Sequence, residues 1–239
     1  MPDFITYAHR GASAYCPENT MLSFYTGVYM GANGIETDVR RTRDGVLVLF
    51  HDKTMERAVG LPLDVGEYTY DEIKDLRICR GELWDRITTL ERFLEDFGKR
   101  EDLTLAIELK ADGIEREVAD LIRKHSSPDR VVVTSFQVHR LAVIKEYAKE
   151  LRVGHLTRVA DGTELSALSA LGAYEICPHG DIVDAESVKK WHALGLNVRA
   201  WGIVDEDMMK RVYDAGADGM TVNFPDKMLA YIAKKNAVE

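Results

Sequence analysis

The sequence predicts an α/β protein of the (β/α)₈ TIM-barrel class, and two observations lead to that prediction. Short apolar segments typical of buried strands alternate with segments whose apolar residues recur three and four positions apart, as in amphipathic helices. Several helical segments end at a glycine just before the next strand, namely Gly172, Gly195 and Gly216. Eight such units favour a closed barrel. An open doubly wound sheet is the alternative that the pattern leaves open.

The predicted strands and helices follow one another along the whole chain. The strands are residues 4–9, 34–39, 103–109, 130–136, 152–156, 174–178, 196–201 and 218–223. The clearest helical segments are residues 21–31, 114–125, 138–150 and 205–216. Because no Pro/Gly-rich linker or low-complexity segment interrupts this alternation, we expect residues 1–239 to form a single domain.

One long segment departs from the alternation. About 60 residues separate the second and third predicted strands, where a simple βα unit needs far fewer. Residues 46–54 predict a β-extension that ends at His51, residues 64–77 predict a short helix with its lead-in, and residues 88–99 predict the second barrel helix. We expect the insertion, residues 52–87, to overhang the C-terminal mouth of the barrel and to influence substrate specificity.

Composition and charge exclude several classes of function. The net charge is −9 and no run of Lys and Arg is present, which argues against nucleic acid or an anionic membrane as the main partner. Three cysteines without CxxC spacing indicate neither a disulfide framework nor a zinc site. The N-terminus lacks a signal-peptide pattern and no apolar run approaches about 20 residues, so we expect a cytoplasmic protein without stable membrane insertion. The oligomeric state does not follow from the sequence.

Unusual polar residues stand at the ends of the predicted strands. They are His9 and Arg10 on the first strand, Glu36 and Asp38 on the second, Glu108 and Lys110 on the third, Arg199 and Trp201 on the seventh, and His51 after the β-extension. Residues two apart on a strand point the same way, and the C-terminal strand ends of a barrel converge on one mouth. We therefore expect these side chains to share a site.

The residue types in this group suit phosphodiester cleavage. Three neighbouring carboxylates, Glu36, Asp38 and Glu108, repel one another unless a cation intervenes, and oxygen donors favour Mg²⁺, Ca²⁺ or Mn²⁺. The fork of Arg10 and the point charge of Lys110 suit a phosphate.

Two histidines complete the group. His9 and His51 can divide the base and acid roles of bond cleavage. Each residue alone has an ordinary structural interpretation, and Arg199 keeps it, as an ion-pair partner. The coincidence of the others at successive strand ends favours the functional interpretation.

These segments resemble the glycerophosphodiester phosphodiesterases, a family of metal-dependent (β/α)₈ barrels. The resemblance extends from residue 5 to about residue 228 and is most specific within the first 52 residues. It is carried by AHRGASAYCPENT (8–20), GIETDVRRTRDGVLVLFHD (34–52), IELK (107–110), VVVTSFQVHRL (131–141), ALGLNVRAW (193–201) and DAGADGMTVNFPD (214–226).

The resemblance implies hydrolysis of a small-molecule glycerophosphodiester to glycerol 3-phosphate and an alcohol. By position it implies that Glu36, Asp38 and Glu108 bind one divalent ion, Mg²⁺ or Ca²⁺ with Mn²⁺ as a further candidate. It implies that His9 and His51 are catalytic, that Arg10 and Lys110 bind phosphate, and that Trp201 packs on the glycerol or the leaving alcohol. We assign His9 as base and His51 as acid. The nucleophile is either water or a glycerol hydroxyl.

The loop that follows the first strand has its own predicted geometry. Gly11 is expected to let the backbone turn tightly beside the ligand. Asn19 or Thr20 is expected to cap the first helix, with Glu18 and Asn19 supporting the loop rather than taking part in catalysis.

Two departures from the family pattern concern specificity. The chain has Trp201-Gly202-Ile203-Val204 where Trp-Thr-Val-Asn is common, and Arg57-Ala58-Val59-Gly60 where Arg-Thr-Thr-Asn-Gly is common. Neither departure affects the proposed metal or acid/base residues.

Two other functions remain as alternatives. A lipid phosphodiesterase of the lysophospholipase D or phospholipase C kind requires an apolar rim, for which Leu61, Leu63, Leu83 and Trp84 are the candidates. A non-catalytic barrel that binds a phosphate ligand requires turnover to be absent.

Overall fold

The eight predicted barrel strands form a closed parallel sheet in a computed structural model that describes residues 4–237. The strands, in chain order, are β1 Ile5–His9, β2 Gly34–Arg41, β3 Leu47–Leu49, β4 Arg77–Arg80, β5 Leu83–Arg86, β6 Thr104–Leu109, β7 Val131–Ser135, β8 Arg152–Thr157, β9 Glu175–Pro178, β10 Asn197–Ala200 and β11 Gly219–Val222. The barrel order is β1-β11-β10-β9-β8-β7-β6-β2, and β1 also pairs with β2. This last pairing closes the sheet and excludes the open alternative.

Helices cover the outside of the barrel. They are α1 Met21–Tyr29, α2 Glu56–Val59, α3 Tyr70–Ile73, α4 Leu90–Phe97, α5 Glu115–His125, α6 Val138–Tyr147, α7 Gly162–Leu171, α8 Ala185–Ala193, α9 Glu206–Asp214 and α10 Pro225–Asn236. Gly172 ends α7 in the left-handed conformation, and Gly195 and Gly216 adopt positive φ just after α8 and α9, as predicted. Between residues 4 and 237 no helix is both long and apolar enough to span a bilayer.

Apolar side chains fill the space between the strands and the helices. One buried cluster packs α1, α4, α5 and α6 against β2, β6 and β7, with the Phe24 ring in edge-on contact with Phe93 and Phe97. A second cluster packs α7, α8 and α9 against β9, β10 and β11. Burial of these faces provides the main stabilisation of a barrel and keeps the strand ends in fixed positions.

The long connection between β2 and α4 forms a small subdomain with its own core. β3 pairs antiparallel with β2, and the short helices α2 and α3 follow. The antiparallel hairpin of β4 and β5 was not predicted from the sequence. Buried residues under this subdomain include Phe50, Met55, Val65, Ile73 and Ile78.

The subdomain does not gather the four rim candidates into one apolar surface. Leu83 and Trp84 lie on the hairpin with about half of each side chain exposed, at 46% and 44%. Leu61 and Leu63 instead pack against the core of the subdomain.

Candidate active site

Strand register brings the three carboxylates together at the C-terminal mouth of the barrel. His9 on β1 lies beside Glu36 on β2, and Asp38 on β2 lies beside Glu108 on β6. Neighbouring strands are about 4.8 Å apart, so these side chains meet without any long reach. Oxygen atoms of Glu36, Asp38 and Glu108 all lie within 4.8 Å of one another, and all three residues are buried.

Burial makes this carboxylate cluster electrostatically costly. Burial, together with the negative charge of Asp38, raises the pKa of Glu36 to about 8 and the pKa of Glu108 to about 7. Burial acts on Asp38 in the same direction, but the positive charges of Arg10 and Lys110 outweigh it and lower the pKa of Asp38. A further cation bound at the cluster would lower the pKa values of Glu36 and Glu108, and more of these carboxyl groups would then be ionised near pH 7.

The oxygen donors of the cluster fit a hard divalent ion. Arg10 Nε lies 3.0 Å and Lys110 Nζ 3.3 Å from the two Asp38 oxygens, and Lys110 Nζ lies 2.7 Å from Glu108. Asn19 Nδ2 donates to Asp38 Oδ2 at 2.9 Å, whereas the buried Asp38 Oδ1 has no hydrogen-bond partner. Three buried carboxylates, one of whose oxygens makes an ion pair but no hydrogen bond, form a donor set of the type that Mg²⁺, Ca²⁺ and Mn²⁺ prefer.

The loop after β1 holds Arg10 in a strained conformation. Arg10 has φ +53° and Asn19 has φ +55°, a region that residues other than glycine seldom adopt. The backbone N–H of Asn19 donates to the Arg10 carbonyl at 3.0 Å, and Ser23 Oγ donates to the same carbonyl at 2.9 Å. These bonds hold the Arg10 backbone while its guanidinium turns toward Asp38 and Glu18.

The contacts predicted for Glu18, Asn19 and the helix cap are present, and the structure decides between Asn19 and Thr20 as the cap. Glu18 accepts a hydrogen bond from Arg10 Nη1 at 3.0 Å. Thr20 is the N-cap of α1, because the Asn19 side chain is already committed to Asp38 and Thr37. Glu18 thus holds the Arg10 side chain, and Asn19 holds the Arg10 backbone.

Gly11 is required for packing against α1. Its φ is +80°, and a Cβ placed there lies 2.4 Å from the backbone carbon of Ser23. The positive φ agrees with the tight turn predicted for Gly11, and the structure adds a close approach to helix α1.

His9 is held by a residue at the opposite end of the chain. Its Nδ1 lies 2.5 Å from Oδ1 of Asn223, 214 positions away, and its Nε2 lies 3.8 Å from Glu36. Because an amide oxygen only accepts, Nδ1 carries the proton and Nε2 of the neutral ring is a free acceptor. Burial, assisted by the charge of Arg10, lowers the pKa of His9 to about 4. His9 is therefore neutral near pH 7.

His51 is held by a carboxylate. Its Nδ1 lies 2.6 Å from Asp52 Oδ1, and its backbone carbonyl accepts two hydrogen bonds from Arg40 at 2.9 and 2.8 Å. Burial lowers the pKa of His51, whereas the charge of Asp38 and the bond to Asp52 oppose that shift. The carboxylate on Nδ1 of His51 is a charged acceptor for the protonated ring, whereas the amide on Nδ1 of His9 is neutral.

Aromatic side chains line the mouth beyond Lys110. Lys110 Nζ lies 5.8 Å from the centre of the Phe136 ring, and Phe136 meets Trp201 edge-on at 5.0 Å. The guanidinium of Arg158 lies 4.7 Å from the Trp201 ring centre, and His179 contacts the same ring at 4.7 Å. Gly202 has φ +72° and stands where any Cβ meets His179, which accounts for glycine after Trp201.

Arg199 on β10 belongs to the barrel interior. It is buried and pairs with Glu175 at 2.8 Å, with further bonds to Thr221 and Cys177. The interpretation of Arg199 as a structural ion-pair partner is confirmed.

The sequence profile of the glycerophosphoryl diester phosphodiesterase family matches residues 9–227. The chain belongs to this family. Curated relatives named glycerophosphodiester phosphodiesterase include those of Bacillus altitudinis, 32% identical over 92% of this chain and 95% of the relative, and Caldanaerobacter subterraneus, 31% identical over 96% and 98%.

The glycerophosphoryl diester phosphodiesterase fold also appears in solved structures similar to this chain. A phosphodiesterase of Oleispira antarctica, in complex with the product sn-glycerol-3-phosphate, is 25% identical, with a TM-score of 0.84 over 96% of both chains. The family resemblance inferred from the motifs is confirmed, and the chain is a member of a hydrolase family.

Sequence reasoning missed site residues that are distant from the motifs or on the insertion. Asn223 and Phe136 stand at the ends of β11 and β7, so the strand-end rule that selected Glu108 could have found them. Arg57 and Arg158 carried no such signal, because the positions of their side chains depend on the folded insertion and on the loop after β8.

Proposed function

We propose that this chain uses one divalent ion to hydrolyse glycerophosphodiesters to glycerol 3-phosphate and an alcohol. The observation that carries the proposal is the buried cluster of Glu36, Asp38 and Glu108 beside two cations and two histidines at one barrel mouth. The product complex of the Oleispira antarctica relative agrees with this substrate class.

Glu36, Asp38 and Glu108 would hold the ion. When bound, such an ion neutralises negative charge that develops on the phosphate oxygens. Arg10 and Lys110 already contact Asp38 and line the same space, so they would hold the phosphate against the cluster.

His9 acts as the general base. Asn223 fixes its tautomer so that Nε2 faces the cluster with a free lone pair. A neutral imidazole near pH 7 can take the proton of the attacking hydroxyl, from water or from the glycerol.

His51 acts as the general acid. Asp52 holds Nδ1 and stabilises the protonated ring, which gives the Nε2 proton to the oxygen of the leaving alcohol. Trp201 and Phe136 pack against the organic part of the substrate, because they are the aromatic surface next to Lys110.

The test is release of glycerol 3-phosphate from glycerophosphocholine by the purified protein. The assay is run with EDTA and again after Mg²⁺, Ca²⁺ or Mn²⁺ is restored. We expect no release with EDTA and recovery with at least one of these ions, followed by comparison of other head groups.

Absence of release with every ion, from a folded sample, contradicts the proposal. Lysophospholipid is the next substrate in that case, and binding of glycerol 3-phosphate without any turnover would favour a non-catalytic barrel.

A further inference from the structure

Arg57, on the short helix α2 of the insertion, contacts two carboxylates at once. Its Nε donates to Asp52 Oδ2 at 2.6 Å, and its two terminal nitrogens donate to the two oxygens of Glu18 at 2.7 Å each. The side chain is 52% exposed, yet all three of its donor nitrogens are bonded. An ordinary surface arginine makes one loose ion pair of small energetic value, so this arrangement calls for another explanation.

Each carboxylate leads to a different part of the active site. Asp52 accepts from Nδ1 of His51 at 2.6 Å, and Glu18 accepts from Nη1 of Arg10 at 3.0 Å. The hydrogen bonds therefore run without a break from His51 through Asp52, Arg57 and Glu18 to Arg10. These five side chains come from three segments of the chain, which are the loop after β1, the β-extension that ends at His51, and the insertion that begins at Asp52.

We propose that Arg57 is a positioning residue that sets the His51 ring relative to the Arg10 guanidinium. The proposal rests on the proposed function, in which His51 protonates the leaving oxygen and Arg10 holds the phosphate. Arg57 fixes the Asp52 carboxylate in the plane that orients His51, and it fixes the Glu18 carboxylate that orients Arg10. The insertion thus completes the catalytic geometry in addition to bordering the mouth.

The fork of Arg57 is essential to this role. Two nitrogens on Glu18 and a third on Asp52 define one relative position for the two carboxylates. A lysine has a single nitrogen and can satisfy one carboxylate well or both poorly. Small errors in the placement of an acid catalyst lower the rate strongly, because proton transfer needs close approach to the leaving oxygen.

The experiment compares two substrates with the same glycerophosphoryl part and different leaving groups. Glycerophosphocholine releases an alkoxide that needs a proton, whereas the p-nitrophenyl ester of glycerol 3-phosphate releases a stable phenolate. For Arg57→Gln we expect kcat to fall about 10–100-fold for glycerophosphocholine and less than about threefold for the nitrophenyl ester. We expect KM to rise for both substrates, because Glu18 would no longer orient Arg10 toward the phosphate that both substrates share.

Two further variants separate positioning from a general structural effect. Arg57→Lys keeps the charge without the fork and is expected to give an intermediate kcat on glycerophosphocholine. Arg43→Gln is the matched control, since Arg43 makes comparable surface bonds to Glu72 and to the Glu67 carbonyl at the other end of the insertion. It is expected to leave both substrates unaffected.

A double-mutant cycle tests the route through Asp52. Asp52→Asn lowers kcat on glycerophosphocholine, and Arg57→Gln is expected to add little to it, because both act on the same histidine. Equal losses on both substrates in Arg57→Gln, no loss on either, or additive losses in the cycle would overturn the proposal. A wild-type protein inactive on both substrates would instead contradict the proposed function itself.

Discussion

At the scale of single residues, the two histidines differ in what holds their Nδ1 atoms. Asn223 is a neutral acceptor for His9, and Asp52 is a charged acceptor for His51. Burial and the charge of Arg10 outweigh the hydrogen bond to Asn223 and lower the pKa of His9 to about 4. This difference in the Nδ1 partner supports the base role that we propose for His9 and the acid role that we propose for His51.

Replacing each histidine by glutamine tests this division of roles. We expect His9→Gln to lower kcat by about 10²–10⁴-fold on both leaving groups, since the base is needed in each case. We expect His51→Gln to cause a comparable loss on glycerophosphocholine and a much smaller loss on the nitrophenyl ester. His192→Gln is the control, because His192 pairs with Asp218 on the surface, away from the mouth. Identical losses for both histidine variants on both substrates would contradict the assignment.

The sequence predicts the residues whose neighbours are close along the chain. Glu36 with Asp38 and Glu108 with Lys110 are each two positions apart at a strand end, so periodicity alone places each pair on one face. His9 and Arg10 are adjacent in the sequence at the end of β1. Asn223 reaches His9 across 214 positions, and only the closure of the barrel brings them together. Partners of that kind need the folded topology, which local patterns do not contain.

At the scale of elements, the site depends on how β1, β2 and β6 lie beside one another. The register places His9 beside Glu36 and Asp38 beside Glu108, and Gly11 fixes the loop of β1 against α1. A shift of one residue in a strand turns its side chains to the other face, so the site cannot survive it.

Gly11→Ala is predicted to destabilise the protein and to lower activity. The new Cβ lies 2.4 Å from the backbone carbon of Ser23, and the alanine must also adopt φ +80°. Because both effects are unfavourable, we expect a loss of about 2–4 kcal/mol in the free energy of unfolding. Gly45→Ala is the matched control, since Gly45 has φ +89° with open space around it. It is expected to cost about 1 kcal/mol and to leave kcat unchanged. Denaturant titration and the activity assay measure both effects, and equal costs for the two variants would contradict the packing explanation.

The sequence predicts long, regular elements better than short ones. All eight barrel strands were predicted because apolar runs that alternate with helical periodicity give a strong signal. The β4–β5 hairpin was missed since each strand has four residues, and its Gly81-Glu82 turn was the only local signal. Short strands of an insertion are determined by the surface on which they pack.

At the scale of the whole molecule, charges of both signs are concentrated at the barrel mouth, and the net charge of the chain does not show this. The chain carries a net charge of −9, yet the cluster holds Arg10 and Lys110 next to its three carboxylates. Without a divalent ion, this arrangement leaves Glu36 and Glu108 with raised pKa values.

Stability of the metal-free protein is predicted to fall as pH rises from about 6.5 to 8. In this range the raised pKa values let the folded state bind protons on Glu36 and Glu108 that the unfolded chain has already released, so rising pH favours unfolding. His9 opposes this fall only near pH 6.5, where the unfolded ring is still about half protonated while the folded ring, with a pKa of about 4, is neutral. We expect a loss of about 1–2 kcal/mol by urea unfolding.

The Glu36→Gln variant is the control for this pH dependence. Removing the carboxyl that has the higher pKa should reduce the fall in the free energy of unfolding between pH 6.5 and 8. Added Mg²⁺ or Mn²⁺ should also reduce it in the wild-type protein, since a bound cation favours the ionised carboxylates. A metal-free wild-type protein that becomes more stable with pH in this range would contradict the charge arrangement described for the mouth.

The most direct measurement of the central claim is turnover of glycerophosphocholine as metal is titrated into metal-free protein. We predict that glycerol 3-phosphate release begins only with added Mg²⁺, Ca²⁺ or Mn²⁺ and saturates near one bound ion per chain. We also predict that Asp38→Asn, with its fold intact, neither binds that ion tightly nor recovers activity. Full turnover in the metal-free wild-type protein, or metal-dependent turnover unchanged by Asp38→Asn, would contradict the account.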